Sequence, residues 1–420
     1  MHPASELSLM DGLRDRASAE SSWELFKQFN LSVGFGQPAP YPAYHALRAE
    51  HAVHAGLPHL GMPGNGPDAP PVFSVYSYDV AAEVLLDPVT FSSAAYHDMI
   101  GKVMGRSLIE MDPPEHRRYR MLLQPSLGPK TMAHWKSDIV VSLLDDMTHQ
   151  MRPAGRADLV RGFLFDFPMR TFAAVLGLPR NQYSGFHHAA IELVTQSYDL
   201  DKGRASADKL ASMLAPILQS RRSAPADDLI SILAHSDHEG QRMSDEDIYS
   251  FVRLLLPAGA ETTYRSSSSL LVALLSEPEQ LELVRSDTAA LTAAVNEVAR
   301  WETPLQFVPR VATRDTELAG MSIPAGATVM VVLGAANRDP ARWEDPDRFD
   351  LRRPYHSALA FGHGVHMCLG MHLSKMETEQ LVSALLTNLP GLRLDPDGPA
   401  PQIEGTLMRS PGHLKVVWDA

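Results

Sequence analysis

Cysteine is nearly absent from this chain of 420 residues, in which Cys368 is the only one. A single cysteine excludes an internal disulfide and fits a reducing compartment, where a thiol is kept for its reactivity or fills a core. Most lone cysteines are simply small, buried, apolar residues. The residues around Cys368 must therefore decide whether it does chemistry.

Long apolar runs and a basic leader are also missing. The apolar stretch 251–260 is shorter than the roughly 18–20 residues of a membrane helix and contains Arg253. The first residues carry neither the basic start nor the apolar core of a secretory signal. The formal net charge of −13 disfavours nucleic acid as a partner. We therefore expect a soluble, cytoplasmic protein that binds neither membranes nor nucleic acid.

The chain has no internal repeat, no low-complexity tract and no stretch typical of a linker. Helical spacing of apolar residues dominates its middle, whereas short strands are predicted at 72–76, 308–312 and 328–332. We therefore predict one domain over residues 1–420, mainly α-helical with a small β-rich part.

The clearest helix is predicted from Ser244 to about residue 276. Ser244 can cap its N-terminus, and three acidic residues follow where the helix dipole favours negative charge. At 1.5 Å per residue this helix is roughly 50 Å long. Pro257 removes one hydrogen bond of the helix and Gly259 weakens the next turn, so a kink is expected there. A helix broken at its middle is a candidate functional site.

Cys368 lies in a glycine-rich segment, FGHGVHMCLG, at residues 361–370. Three glycines in ten residues predict a tight turn with positive φ or close backbone approach. The turn leads into a predicted helix, whose free N–H groups favour a thiolate and lower its pKa. Such a thiolate could be a nucleophile, a redox thiol or a metal ligand. The sequence contains no CxxC motif for redox exchange and no CxxCH motif for covalent haem attachment. It also has no second cysteine for a zinc or iron–sulfur site.

This segment resembles the haem-binding loop of the cytochrome P450 family, FGxGxHxCLG in many bacterial members, and matches all seven specified residues. The resemblance implies that Cys368 is the proximal ligand of a haem b iron. Phe361 would pack beside the ligand in the cofactor-binding turn with Gly362, and His366 would meet a haem propionate. The implied fold is the family's helical prism with a small β-rich region, in which the haem lies between the long kinked helix and the cysteine loop. The plain alternative is a cysteine that fills the core.

Residues 258–263, AGAETT, resemble the family's element on the distal side of the haem. By this resemblance Gly259 opens a groove for dioxygen, Thr262 offers a hydroxyl there, and Glu261 is the acid that passes protons inward. Many members carry Asp at the acid position, so Glu261 is one methylene longer. The alternative is that Thr262 bonds back to a helix carbonyl and that Glu261 is merely solvated.

Glu297 and Arg300 match the family's ExxR motif, whose residues share a helix face at this spacing. The spacing alone is not specific, since Glu282 and Arg285 have it as well. Only Glu297, however, is followed by the motif Trp-x-x-Pro, at residues 301–304. In the family this pair is structural, and a later segment supplies a third member. Residues 345–349 of this chain resemble that segment. Arg348 is the predicted third member, with Arg352 as the alternative.

Haem carries two anionic propionates, and their burial requires cations and hydrogen-bond donors. Residues 112–120, DPPEHRRYR, resemble the family segment that supplies a propionate-binding His and Arg. His116 and Arg120 are four residues apart and share a helix face. Arg310 lies where a third partner is expected, whereas Arg117 and Arg118 are more typical of a solvated face.

The resemblance implies a monooxygenase that inserts one atom of dioxygen into an apolar small molecule. No flavin or nicotinamide fingerprint is present, so electrons are expected from a ferredoxin or flavodoxin with an NAD(P)H-dependent reductase. Arg117, Arg118 and Lys375 are the predicted basic patch for that carrier. Substrate contacts are expected from five segments, at 88–110, 181–205, 255–263, 305–308 and 406–408. The residues predicted in the pocket are Leu255, Ala258, Leu305, Phe307, Val308 and Leu407, with Gln306 as a polar anchor.

Two other functions stay open. A peroxide-driven enzyme of the same fold would need no electron partner, although Glu261 and Thr262 favour the dioxygen route. A haem-based sensor or carrier would bind ligands and turn nothing over.

Overall fold

Helices dominate the computed structural model, which describes residues 20–58, 70–196 and 199–419. In chain order they are α1 (20–32), α2 (Tyr41–Glu50), α3 (Tyr78–Leu86), α4 (Lys102–Met104), α5 (Glu115–Leu123), α6 (Pro129–Trp135), α7 (Val141–Met151), α8 (Phe167–Val175), α9 (Tyr183–Gln196), α10 (Leu200–Ser223), α11 (Leu229–His235), α12 (Asp245–Leu255), α13 (Thr262–Ser276), α14 (Pro278–Ser286), α15 (Thr288–Trp301), α16 (Leu333–Ala336) and α17 (Met371–Asn388). The mainly α-helical fold class is confirmed.

The strands are short and lie mostly at the two ends of the chain. They are β1 (Val53–Ala55), β2 (Val72–Val75), β3 (Phe91–Ser92), β4 (Arg156–Asp158), β5 (Asp237–His238), β6 (Gln241–Arg242), β7 (Val308–Ala312), β8 (Thr316–Leu318), β9 (Met321–Ile323), β10 (Thr328–Val331), β11 (Arg393–Leu394), β12 (Ile403–Glu404), β13 (Ser410–Pro411) and β14 (Lys415–Val417). One sheet has five strands in the order β1-β2-β10-β7-β3, with only β2 and β10 parallel. The three strands predicted from sequence are confirmed within one residue.

The long helix is present and is interrupted where Pro257 and Gly259 predict. Ser244 caps α12 by accepting a hydrogen bond from the N–H of Asp247, whose carboxylate accepts one from the N–H of Ser244. The interruption is a π-helical turn, Leu256–Glu261, that joins α12 to α13. Such a turn widens the helix by one residue and is frequent at functional sites.

The helix α13 is the central element of the fold. Its residues are buried on all faces, Leu270, Leu271 and Leu274 among them, and it packs against α14, α15, α17 and β13. A helix that is buried all round belongs to the core of a large protein. Among the described helices, none combines the length and the hydropathy needed to cross a membrane.

The cysteine loop precedes α17 and is pressed against the end of α3. Gly364 has φ +68°, and a Cβ added there would lie 2.7 Å from the carbonyl oxygen of Leu85. Only glycine allows both the conformation and the close approach. Because α17 packs along α13, the loop is held at the same end of the core as the π-helical turn.

Candidate active site

One large cavity is lined by both the π-helical turn and the cysteine loop. It offers about 300 Å³ to the centres of water molecules. Thirteen of the site residues predicted from the sequence line it. They are Leu255, Ala258, Gly259, Thr262, Leu305, Val308, His116, Arg120, Arg310, Phe361, Gly362, His366 and Cys368. Residues separated by up to 252 positions in sequence therefore meet at one site.

Cys368 forms one wall of the cavity in a turn with fixed backbone geometry. Its N–H donates to the carbonyl of Phe361 at 2.8 Å, and Gly362 has φ +70°. Burial raises the pKa of the Cys368 thiol, while the N–H of Gly370 and the charge of Arg120 lower it in part. The N–H of Gly370, the residue that caps α17, thus lowers this pKa as expected of the helix start, but burial outweighs that contribution.

The π-helical turn forms another wall. A Cβ built on Gly259 would meet no protein atom within 4 Å, so this glycine borders open cavity space. The Thr262 hydroxyl donates to the carbonyl of Ala258 at 2.7 Å, four residues earlier. This is the local helix bond of the plainer alternative. Thr262 nevertheless lines the cavity, and its hydroxyl oxygen can still accept a hydrogen bond.

Glu261 does not line this cavity. Its carboxylate is buried on the other side of the turn, where Oε1 accepts N–H bonds from Arg265 Nε at 3.0 Å and Nη2 at 2.6 Å. Burial raises the pKa of Glu261, and the charge and hydrogen bonds of Arg265 lower it in part. The alternative that Glu261 is merely solvated is therefore wrong. The side chain of Glu261 is also not among those that line the large cavity.

A cluster of cationic and donor groups lines the cavity near α5. The rings of His116 and His366 lie 4.2 Å apart between centroids, and the buried Nε2 atom of each has no hydrogen-bond partner. Burial, with the charge of Arg120, lowers the pKa of His116 to about 4. Burial also lowers the pKa of His366 to about 3, with further contributions from Arg310, His116 and Arg120. Arg310 is itself buried, and its side chain forms a hydrogen bond with that of Tyr96.

This arrangement fits a haem. The cavity wall is mostly apolar, as a flat macrocycle requires, and a glycine faces it where a side chain would intrude. Two orphaned imidazole nitrogens, the buried guanidinium group of Arg310 and the half-buried one of Arg120 line the cavity together, where anionic arms would be satisfied. A single thiol, that of Cys368, is available as an axial ligand.

Glu297 and Arg300 form the buried pair that the motif predicts. Arg300 donates to both carboxylate oxygens of Glu297, at 2.9 and 2.7 Å. The third member is Arg353, whose Nε donates to Glu297 Oε1 at 3.1 Å. The prediction of Arg348 is wrong, and so is that of Arg352. Arg348 contributes only its backbone carbonyl, which accepts from Arg300 at 3.0 Å and from Arg353 at 3.1 Å. The irregular segment 345–353, which carries both arginines, is called the meander below.

Two residues predicted in the substrate pocket do not line the cavity. Phe307 is buried in an aromatic cluster with Tyr41 and Tyr44, and Leu407 packs against the same cluster. Gln306 is fully buried, and its amide donates to the carbonyl of Thr303. These predictions are wrong because the N–H of Gln306 bonds the carbonyl of Leu407 and the carbonyl of Gln306 accepts from Gly334. Both segments are therefore fixed where Phe307 and Gln306 are buried and Leu407 packs against the aromatic cluster.

The segment 181–205 also contributes no wall among its described residues; positions 197 and 198 lie outside them. Side chains from three other helices take that place, namely Trp135, Thr171, Phe172, Val175 and Leu229. Segment 88–110 does contribute, through Tyr96, Leu108 and Ile109. Helix packing decides which face of a segment meets the cavity, and sequence position alone does not.

Four functional contacts were missed from the sequence. Arg265 stands four residues after Glu261, so its pairing was readable from helical spacing. Arg353 and Tyr96 carry no local signal. Glu377 lines the cavity on α17, where burial raises its pKa to about 8 although a hydrogen bond with Thr263 lowers it in part. Only the packing of α17 against α13 reveals that carboxyl.

Comparisons with known proteins agree with this geometry. The sequence model of the family "Cytochrome P450" matches residues 180–417. The chain is 34% identical over 366 residues to cytochrome P450 monooxygenase PikC of Streptomyces venezuelae, covering 85% of each chain. It is 33% identical over 377 residues to vitamin D(3) 25-hydroxylase of Pseudonocardia autotrophica, covering 88% of this chain and 91% of the relative. A crystal structure of CYP109E1 from Bacillus megaterium in complex with testosterone superposes with a TM-score of 0.81 at 27% identity, covering 91% of this chain and 100% of that one.

Proposed function

Because this chain belongs to the cytochrome P450 family and is a haem-dependent monooxygenase, we propose that it holds haem b through Cys368 and oxidises an apolar small molecule with electrons from a separate carrier. The observation that supports this most is that Cys368, Gly259 and Thr262 line one cavity. A haem held by Cys368 would supply the iron that activates dioxygen, and the thiolate would donate the electron density that favours O–O cleavage.

The protein's own side chains have distinct roles in this proposal. His116, Arg120, Arg310 and His366 hold the two propionates, since each is aimed into the cavity with a free donor or charge. Thr262 holds a water or a proton at the distal wall, within one helical turn of Gly259. The apolar walls exclude bulk water and strengthen these polar interactions.

The substrate class is an apolar molecule, because most of the wall between Leu108 and Val308 is aliphatic or aromatic. Relatives are named for a vitamin D(3) hydroxylase and for complexes with testosterone and corticosterone. These three compounds are therefore the first probes. We expect at least one to shift the Soret band of the ferric protein on titration and to yield a product with NADH, a ferredoxin and its reductase.

The same assay separates the other functions. Product formed with hydrogen peroxide alone, at a rate that the electron carrier does not raise, would indicate a peroxide-driven enzyme. A protein that binds the probe and CO but forms no product with either donor would contradict catalysis and indicate a sensor or carrier.

Replacing Thr262 by Ala is expected to uncouple NADH consumption from product formation. Thr262 is the first residue of α13, directly after the π-helical turn, and it lines the cavity. A group positioned to transfer a proton contributes roughly 10²–10⁴-fold. We expect product per NADH to fall about tenfold or more, with hydrogen peroxide making up the difference. Thr262→Ser keeps the hydroxyl and should stay near the wild-type ratio. Equal coupling in the Ala and Ser variants would contradict the role of Thr262.

The electron carrier is proposed to dock on the surface formed by α5 and the residues beside the cysteine loop. Arg117 and Arg118 are exposed on α5, the helix that also bears His116 and Arg120, and neither takes part in the ion pairs found among the described residues. Lys375 lies 5.3 Å from the centre of the Phe361 ring, beside the cysteine loop. A local basic patch of this kind suits an acidic ferredoxin or flavodoxin despite the overall charge of −13.

Reversing both charges, in Arg117→Glu/Arg118→Glu, is expected to slow reduction by ferredoxin about tenfold at low salt and to weaken its salt dependence. The control is Arg393→Glu in β11, which follows α17 at the end opposite Cys368, about 27 Å away for a helix of 18 residues. Stopped-flow reduction under CO, at several salt concentrations, measures the rate and its salt dependence for the double variant and for the control. Equal rates in the double variant and the control would remove α5 from the docking surface.

A further inference from the structure

Glu377 on α17 differs from every other buried acid of the described residues, because it has no cationic partner. Seven carboxyl groups are buried there, and six of them lie within ion-pair distance of an arginine or a histidine. Those six belong to Glu110, Asp228, Glu261, Glu297, Glu302 and Asp339. Glu377 is 6% exposed, and no charge of a described residue acts on it. Burial without a counter-charge favours the neutral form of a carboxyl group.

Two hydroxyl groups take the place of a cation beside Glu377. The Thr263 hydroxyl bonds the carboxyl of Glu377 and lies 3.2 Å from the Oγ atom of Ser374. A hydroxyl has one proton and two lone pairs, and it rotates to suit its partners. Thr263 can donate to the ionised carboxylate and accept from Ser374, or it can accept from the neutral carboxyl and donate to Ser374. This group of hydroxyls therefore suits both protonation states of Glu377.

These three residues belong to the wall of the large cavity that Cys368 also lines. Glu377 and Ser374 reach it from α17, and Thr263 reaches it from α13. Glu377 is six residues after Met371, the first residue of α17, or about 9 Å along the helix axis. At the effective dielectric of a protein interior, a unit charge about 10 Å away changes the proton affinity of a carboxyl group about tenfold. A change of charge at a haem held by Cys368 would therefore be felt at Glu377.

The charged groups on the neighbouring elements do not act on Glu377. The elements that pack against α17 are α7, the turn Lys136–Val140, α13 and α15. Their titratable groups, with those of α17 itself, are Lys136, Asp138, Asp145, Asp146, His149, Tyr264, Arg265, Glu297, Arg300, His372, Lys375 and Glu379. Those that line the rest of the cavity are Tyr96, His116, Arg120, Arg310, His366 and Cys368. The pKa of Glu377 is instead raised to about 8 by burial and lowered in part by the hydrogen bond of Thr263.

We propose, on the basis of the function proposed above, that Glu377 takes up one proton when a haem in the cavity takes up one electron. The electron comes from the carrier and converts ferric to ferrous iron. The proton comes from solvent water and forms the O–H bond of the neutral carboxyl, so the net charge of the cavity stays the same. Thr263 reverses its hydroxyl, from donating to Glu377 to accepting from it. Reoxidation returns the proton to water.

The direction of the pH dependence follows from charge. The added electron raises the pKa of Glu377, so a protonated Glu377 in turn favours the reduced state. The midpoint potential of the haem is therefore high and constant at low pH, where Glu377 is neutral in both redox states. The potential falls as the pH rises through about 8, the pKa before reduction, and becomes constant again where Glu377 is ionised in both states. A tenfold linkage corresponds to about 59 mV for one electron.

Spectroelectrochemical titration of the haem-loaded protein, with small-molecule mediators, tests the proposal without turnover. In the wild type we expect the midpoint potential to fall by about 59 mV between about pH 7 and about pH 10. Glu377→Gln keeps a neutral partner for Thr263 and should hold the high potential throughout. Glu379→Gln removes a second acid of α17, which bonds Thr292 on α15, and should retain the fall. A wild-type potential that does not change with pH, or an equal fall in Glu377→Gln, would overturn the proposal.

Lys375 must be separated from Glu377, since it lies beside the cysteine loop and burial lowers its pKa. Lys375→Met is expected to lower the potential at every pH, because a positive charge is lost, and to retain the fall. Loss of the fall in this variant would assign it to the lysine and overturn the proposal. His116 and His366 do not interfere, since their pKa values of about 4 and about 3 lie below the range.

Thr263→Val tests the same group if Glu377→Gln fails to fold. It removes the hydroxyl whose hydrogen bond lowers the pKa of Glu377, so the fall in potential should move to higher pH. Thr263→Ser keeps a hydroxyl and should match the wild type. A fall at the same pH in both variants and in the wild type would overturn the proposal.

Infrared difference spectra between the ferrous and ferric protein report the proton itself. At about pH 8.5, reduction of the wild type should add a protonated-carboxyl band. The band should be absent from Glu377→Gln and present in Glu379→Gln. A wild-type spectrum without this band would contradict proton uptake at Glu377.

The two proposals fail separately. If the wild type forms no product from any probe, the monooxygenase assignment falls, while a fall in potential that Glu377→Gln abolishes still supports the linkage. If product forms but Glu377→Gln and the wild type respond equally to pH, only the role of Glu377 falls.

Discussion

Cys368→His is expected to abolish monooxygenase activity and the red-shifted Soret band of the ferrous–CO complex. The imidazole can still bind iron, so haem is retained, but the electron donation of a thiolate is lost. The cavity, the cationic cluster and the π-helical turn are untouched by this change. The ferrous–CO spectrum and the product yield with the best probe measure the two effects.

A neighbouring variant controls for disturbance of the loop. Met367 is adjacent to Cys368 and 40% exposed, so Met367→Leu changes the same turn without removing the sulfur. This variant should keep the red-shifted band. Retention of that band in Cys368→His would show that the sulfur is not the ligand and would return Cys368 to the class of core residues.

Glu297→Ala is expected to be the most destabilising single substitution that we propose. Glu297 and Arg300 are 7% and 3% exposed, and the carboxylate also accepts from Arg353 and from the N–H of Asp350. Removing one partner of a buried pair leaves an uncompensated charge and costs about 3–5 kcal/mol. We expect the free energy of unfolding in urea to fall by that amount, with loss of bound haem during purification.

A second glutamate–arginine pair of the same spacing supplies the control. Glu282 and Arg285 also bond at 2.7 Å, but Glu282 is 67% exposed. Exposed pairs contribute about 0–1 kcal/mol, so Glu282→Ala should change stability little. Losses of similar size in Glu282→Ala and Glu297→Ala would contradict the structural role of the buried pair.

The third member of the cluster is tested by two arginines of one meander. Arg353→Ala removes a side chain that donates to Glu297 and to three backbone carbonyls, whereas Arg348→Ala leaves its carbonyl in place. Arg353→Ala should therefore destabilise the protein more. The reverse order would restore Arg348 as the third member.

The predictions that succeeded rest on patterns within short stretches of chain. The capping residues at Ser244, the break at Pro257 and the strand at 308–312 all follow from local backbone chemistry. The turn around Cys368 was readable because only glycine tolerates its geometry. The failures, at Arg348, Phe307 and Leu407, concern which way a side chain points in an irregular segment, and no periodicity constrains that.

The sequence by itself determined the helical class, the broken helix, the lone thiol in its glycine-rich turn and the residue types of the cationic cluster. These depend on local conformational preference and on the order of residues along a few turns. Only the tertiary structure decided that the acid Glu261 faces away from the large cavity, that Arg265 holds it, and that Arg353 completes the buried cluster. Each of those facts depends on the packing of α1, α13, α17 and the meander. Burial and long-range contact, which select one partner among several charged residues, are properties of the folded chain alone.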